Sequence, residues 1–147
     1  MAKWFINRVD RDSGDDITHL KLQKLLYYAQ AWHLANFEAP LFNEEIKAWT
    51  HGPVVPSVWH LYKDRGWLPL EAEASPQIDK DTTAFLEKVF SAYGGFTAKK
   101  LEQMTHAEKP WLEARGSLPL EAKCDVPIKR DTMRDYYAAR LNQNGSG

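Results

Sequence analysis

Cysteine is nearly missing from this chain, with Cys124 the single one among 147 residues. One thiol forms no internal disulfide and builds no CxxC redox or zinc motif, which makes a reducing compartment, the cytoplasm, the natural setting. Charge of one sign is missing too. The 19 Lys and Arg against 20 Asp and Glu leave a formal charge of −1, so there is neither a basic field for a phosphate backbone nor the acidic excess of a disordered tail. Long hydrophobic runs are absent, and the start Met1-Ala2-Lys3-Trp4-Phe5-Ile6-Asn7-Arg8 turns charged before any stretch long enough for a signal peptide. Nucleic acid and membrane are both demoted as partners.

Catalytic signatures are missing as well. His19, His33, His51, His60 and His106 never fall in HExxH or a zinc-finger pattern. A tertiary metal cluster of His51, His60 and Glu45 remains open, and with it a metal-dependent hydrolase or nuclease. His106-Ala107-Glu108 has the HxE of a zinc deaminase without the CxxC that chemistry needs. There is no GxSxG elbow around a serine and no lysine-bearing phosphate loop at Gly94-Gly95. A helix-turn-helix around Gly94 to Met104 would offer only Lys99 and Lys100, beside Glu102, to DNA.

What the chain does have is aromatic rings: 6 Trp, 6 Tyr and 6 Phe. Rings of this size fill cores, and Trp and Tyr also dominate protein-binding hot spots. About 150 residues suffice for one core without staples. Phe5, Ile6 and Val9 suggest a short first helix ended by the polar loop Asp10 to Asp16. Thr18 reads as an N-cap, and Leu22, Leu25, Leu26, Ala29 and Trp32 recur at helical spacing with Lys21, Lys24 and Gln30 between them. This is the expected central helix. Glu45 to Trp49 alternates with period two, which permits a short extended piece or a helical turn.

The prolines at 53 and 56 are expected to open a helix with the stripe Val55, Val58, Trp59 and Tyr62, ended by Gly66. Asp79 or Asp81 caps the next, with the stripe Phe85, Leu86, Val89, Phe90 and Tyr93, ended by Gly94-Gly95. Phe96, Thr97 and Leu101 have the spacing of a hydrophobic staple. Pro110 starts a short helix to Gly116, and Asp131 or Thr132 caps a last one carrying Met133, Tyr136, Tyr137 and Leu141. Leu22, Leu25, Leu26, Ala29, Val58, Phe85, Leu86, Val89 and Tyr137 are the expected core.

Arg65-Gly66-Trp67-Leu68-Pro69-Leu70-Glu71-Ala72 is echoed fifty residues on by Arg115-Gly116-Ser117-Leu118-Pro119-Leu120-Glu121-Ala122. Two copies make no solenoid. They read as two loops with one capping job, or as two extended connectors with their leucines on one side that join in a short β bridge. The expected fold is mainly α: a compact single-domain helical bundle of about six helices over 1–141, with room for a short two-stranded β bridge. The polar, glycine-rich 142–147 reads as a disordered tail or a cloning remnant.

Three ordered motifs carry a resemblance. They are Thr18-His19-Leu20-Lys21-Leu22-Gln23-Lys24-Leu25-Leu26-Tyr27-Tyr28-Ala29-Gln30-Ala31-Trp32-His33-Leu34; then Pro40-Leu41-Phe42 with Ile46-Lys47-Ala48-Trp49-Thr50-His51-Gly52-Pro53-Val54; then Leu101, Thr105-His106, Glu108, Pro110-Trp111 and Ala114. Over about 17 to 115 the chain resembles the Panacea-domain antitoxins, the family of SocA-like and phage-associated proteins. The resemblance implies a compact helical domain that neutralises a cognate protein toxin, encoded by a neighbouring gene, through direct binding; with no catalytic constellation among the residues, neither enzymatic activity nor a cofactor is expected. It also implies, as an alternative, an adaptor that delivers its toxin to a ClpXP-type protease.

The expected partner-binding residues are Trp49, His51, Gly52, Pro53 and Val54, joined by His106 and Trp111 of the third motif. A tryptophan, a glycine and a helix-starting proline share one loop there, and free N–H groups near Val54 and Val55 would meet an acidic group of the toxin. The alternative is that Trp49 and His51 pin the loop onto the central helix beside Tyr28 and Trp32.

Overall fold

The computed structural model describes residues 1–119 and 121–144. Among them are seven α-helices and one short hairpin: α1 (Ala2–Arg8), α2 (His19–Phe37), β1 (Lys47–Trp49), β2 (Gly52–Val54), α3 (Pro56–Tyr62), α4 (Lys80–Tyr93), α5 (Ala98–His106), α6 (Lys109–Arg115) and α7 (Arg130–Asn144). No described helix is long and apolar enough to cross a membrane.

The fold is organised around α2. Thr18 caps it by accepting from the Lys21 amide at 3.3 Å, and α1, α3, α4, α5, α7 and β2 all pack on it. Leu22, Leu25, Leu26 and Ala29 are buried as their spacing requires, along with Phe85, Leu86, Val89 and Tyr137; Val58 is only half-buried. The polar residues between the apolar ones do not face water. Gln23, Lys24 and Gln30 are also buried, because six elements surround the helix and leave residues 22–31 no solvent face, while Asn36 and Phe37 in its last turn are exposed. Their polar ends serve the loops instead. Gln30 Oε1 accepts from the amides of Leu41 and Phe42 while its Nε2 donates to Phe42 O. Gln23 Oε1 accepts from Val55 N at 2.8 Å.

Terminal signals in the sequence place most of the other helices. Asp79, rather than Asp81, caps α4 by accepting from the Thr82 amide, and Thr97 caps α5 through the Lys100 amide. Helix α3 starts at Pro56; Pro53 lies on β2 instead. Helix α7 begins at Arg130, which puts Asp131 and Thr132 inside its first turn, and it runs to Asn144, with 145–147 outside the described residues.

The repeated Arg-Gly-X-Leu segments adopt one conformation twice. Gly66 has φ 54° and ψ −123°, Gly116 φ 58° and ψ −127°, and Leu68 and Leu118 donate back to the carbonyls of Arg65 and Arg115. Only glycine enters this region readily, so both copies are the same chain-reversing turn at a helix end. Beyond the turn they diverge. Leu70 is buried, Leu68 and Leu118 are exposed, and Leu120 lies outside the described residues. Among the described residues the connectors do not pair with each other: the two-stranded sheet is β1 with β2, in the register Lys47↔Val54, Ala48↔Pro53, Trp49↔Gly52. The second connector instead runs along the free edge of β1, where Ala48 N donates to Val126 O and Ile128 N to Ile46 O.

Candidate functional site

The hairpin turn Thr50-His51 brings the second and third sequence motifs to one place. Trp49 is half-buried; its ring meets Trp59 edge-on at 5.3 Å and its Nε1 donates to Asp125 Oδ1 at 2.9 Å. The Trp49 carbonyl accepts from Nε1 of Trp111, which is wholly buried. His106 stacks on Trp111 at 4.1 Å between ring centroids. Thr50 Oγ1 donates to Ala122 O, and His51 Nδ1 lies 3.0 Å from Glu102 Oε1 on α5 while 77% of the His51 side chain stays exposed. The expected site residues are thus gathered, but sorted by depth: His51 and part of Trp49 at the surface, His106 half-buried, and Gly52, Pro53, Val54 and Trp111 beneath.

The loop is held, though not as the sequence suggested. Tyr28 stacks on Tyr93 and Trp32 donates to the Tyr93 hydroxyl, so Trp49 and His51 are pinned to the second connector and α5. The expected free amide at Val55 is occupied by Gln23.

Between the hairpin, the start of α2, Trp59 on α3 and the second connector lies a cleft of about 710 Å³. Leu20, Val54, Trp49 and Trp59 give it apolar walls, and Lys24 lies at its floor. A smaller pocket of about 190 Å³ adjoins it through Leu20, Lys24 and His51, walled by the exposed Trp67.

Three charged residues whose burial neither periodicity nor motif reading anticipated hold this region and the packing behind it. Lys24 is 2% exposed, and burial lowers its ammonium from 10.5 to about 8 against an opposing pull from Glu102. Gly52 makes room for it, since a Cβ there would stand 2.7 Å from Lys24 Cε, and the glycine holds φ 109°. Arg115 is buried and ties β1 to the second connector: Nη1 donates to Ala48 O and Nη2 to Pro119 O and Ala122 O, with the guanidinium over the Trp111 ring. Glu108 accepts from the Tyr137 and Tyr28 hydroxyls at 2.7 and 3.0 Å and from Arg140 at 3.1 Å, joining α6 to α2 and α7. Burial raises its carboxyl above the usual value despite these donors. The signal for all three lay in their positions: a lysine, a glutamate and an arginine inside otherwise apolar or motif segments.

Burial would raise Glu102, but the His51 hydrogen bond and the charges of Lys99, His106 and His51 leave it below the usual range. Burial lowers His106. Among the described residues no group of three or more His, Cys, Asp or Glu is placed to hold a metal ion. His51 turns to Glu102, and His60 lies on the surface against the Trp59 ring.

A mainly α domain built on one buried helix, with an aromatic-walled cleft under a pinned hairpin, is the class these features define. Within that class, residues 22–112 match the family model "Antitoxin SocA-like, Panacea domain", and the chain belongs to this family. It is similar to Antitoxin SocA of Caulobacter vibrioides (strain NA1000 / CB15N), 32% identical over 109 residues, which is 65% of this chain and 58% of SocA. The aligned part therefore spans somewhat over half of that relative's length. No solved structure matches.

Proposed function

We propose that this chain is the antitoxin of a toxin–antitoxin pair and neutralises a cognate protein toxin, encoded by a neighbouring gene, by direct binding in the cytoplasm. Family membership and the name of the SocA relative support the role. The single observation that carries the mode of action is the hairpin face: His51 and Trp49 stand at the mouth of an aromatic-walled cleft, on a turn anchored through Glu102, Asp125, Ala122 and Trp111. Rigid aromatic side chains at a pre-formed cleft bind with little ordering cost, which is how hot spots concentrate energy. The chain acts in this reading as a binder with no chemistry of its own. Gly52, Pro53, Val54, His106 and Trp111 shape and support the turn, while Trp49 and His51 touch the toxin.

Co-expression with the neighbouring gene's product and purification of the pair tests the pairing. His51→Ala and Trp49→Ala are expected to weaken the complex by about 2 kcal/mol or more. The exposed His51 variant should keep its unfolding midpoint. Variants that bind normally whenever folded would move the toxin to another surface.

A further inference from the structure

We propose that the floor of the hairpin cleft is a carboxylate-binding site anchored by Lys24, and that the toxin engages it with an acidic side chain carried among apolar residues. This rests on the reading that the hairpin face binds the toxin, and it adds the chemistry of the contact.

The anchor is a buried cation with spare donors. An ammonium offers three N–H groups, and the one hydrogen bond that Lys24 Nζ makes among the described residues, to Pro53 O, is 3.5 Å long, at the outer limit for such a bond. The group is 2% exposed yet borders both the 710 Å³ cleft and its smaller neighbour. Gly52 supplies the space that the side chain occupies, with Lys24 Nζ 3.3 Å from where a Cβ would stand. A lone charge held out of water is costly, and a second charged partner offsets that cost.

The acidic residues nearby do not supply that partner fully. Glu102 is engaged by His51 and Lys99, at 3.0 and 3.5 Å. Asp125 is 76% exposed and bonded to Trp49 Nε1 and Lys47. Glu121 lies on the exposed connector, where Lys123 shares the rim. The incoming group must be slender to reach the floor and must carry negative charge, while Leu20, Val54, Trp49 and Trp59 cover an apolar flank. An acidic side chain with apolar neighbours satisfies both demands. Titratable groups facing Lys24 are Glu102, which favours its charged form, and His19 and His106, whose shifts it contributes to by lowering them.

The test has two arms. In the first, the full chain is titrated with 3-(indol-3-yl)propionate and, separately, with its neutral amide, following the backbone amides of residues 50–54 and the Lys24 side chain by NMR. The carboxylate should bind at least tenfold more tightly than the amide. Lys24→Met should abolish that difference and Lys24→Arg keep part of it. Equal binding of acid and amide, or an unchanged preference in Lys24→Met, overturns the site. In the second arm, affinity for the toxin is measured for Lys24→Met, whose folding is checked by its melting midpoint. At least a tenfold loss is expected. If Trp49→Ala and His51→Ala weaken the complex while Lys24→Met does not, the acidic anchor is wrong and the binding face stands; if all three bind as wild type, the face itself is wrong.

Discussion

Replacing Lys24 by methionine should make the free protein more stable. Methionine keeps the length and volume of the stem with little strain, so the change chiefly removes a buried charge. The folded ammonium titrates at about 8 against 10.5 for an unperturbed lysine. Each unit of such a shift is worth about 1.4 kcal/mol, which puts the cost of keeping Lys24 charged and folded at neutral pH at about 3 kcal/mol. The sign follows from proton binding. Between pH 8 and 10.5 the unfolded chain holds a proton at Lys24 that the folded chain has released, so stability rises with pH across that window.

Two other sets of groups bound the window. His19 and His106 are also lowered by burial, and their contributions, of the same sign, are complete by about pH 8; that of the amino terminus, lowered from 8.0 by burial, runs on to about pH 9 and is common to wild type and variant. Above pH 10 the buried hydroxyls of Tyr27, Tyr28 and Tyr137, raised by burial, resist ionisation in the folded state and reverse the slope. Lys21, lowered in the same direction as Lys24, contributes equally to both slopes, so above pH 8 the difference between wild type and Lys24→Met isolates Lys24; the His19 and His106 titrations that Lys24 also lowers lie below that window. Urea unfolding followed by circular dichroism at pH 7, 8, 9 and 10 measures it. The variant should lead by about 3 kcal/mol at pH 7, roughly 10 °C in melting midpoint for a chain of this size, and the lead should shrink toward pH 10. A variant no more stable than wild type at pH 7, with the same pH profile, would refute the argument. A stabilised variant that binds toxin poorly is the signature expected of a residue kept for function.

Gly52→Ala should destabilise by about 2–5 kcal/mol, combining a φ that side chains rarely adopt with a Cβ driven against the buried Lys24 side chain and Thr105 Oγ1; adding Lys24→Ala should relieve the Lys24 contact and leave the backbone part and the Thr105 contact. Glu108→Ala strips the acceptor from two buried tyrosine hydroxyls and Arg140, and chemical denaturation should show a loss of about 3 kcal/mol. Glu108 is raised above 4.5 by burial, so it favours folding below pH 4.5 and loses that advantage as pH climbs through its folded value; Glu108→Gln should flatten this part of the acid profile. Leu25, wholly buried on α2, should cost about 2–5 kcal/mol as alanine in a thermal melt.

Local rules carry most of the helices in this chain. Thr18, Asp79 and Thr97 cap where short polar side chains precede apolar periodicity, Pro56 opens a helix where a missing amide is harmless, and Gly66 and Gly116 reverse the chain where only glycine fits. Each is a contact within a few residues, and a linear pattern encodes such contacts directly. The motif residues at 49–54 and 106–111 could be picked out as a set, but not sorted into surface and support. That sorting depends on which partners 50 to 80 residues away in sequence arrive beside them.

Tertiary packing alone put Gln23, Lys24 and Gln30 inside, because helical spacing marks an apolar stripe but cannot say that six other elements will close over the remaining face. It alone brought Glu108 to Tyr28 and Tyr137, and Arg115 to Ala48 and the second connector. A buried charge is recognisable only by its surroundings. In the sequence Lys24 looks like any solvated lysine on a helix; the fold takes its water away, and that gives the cleft floor its chemistry.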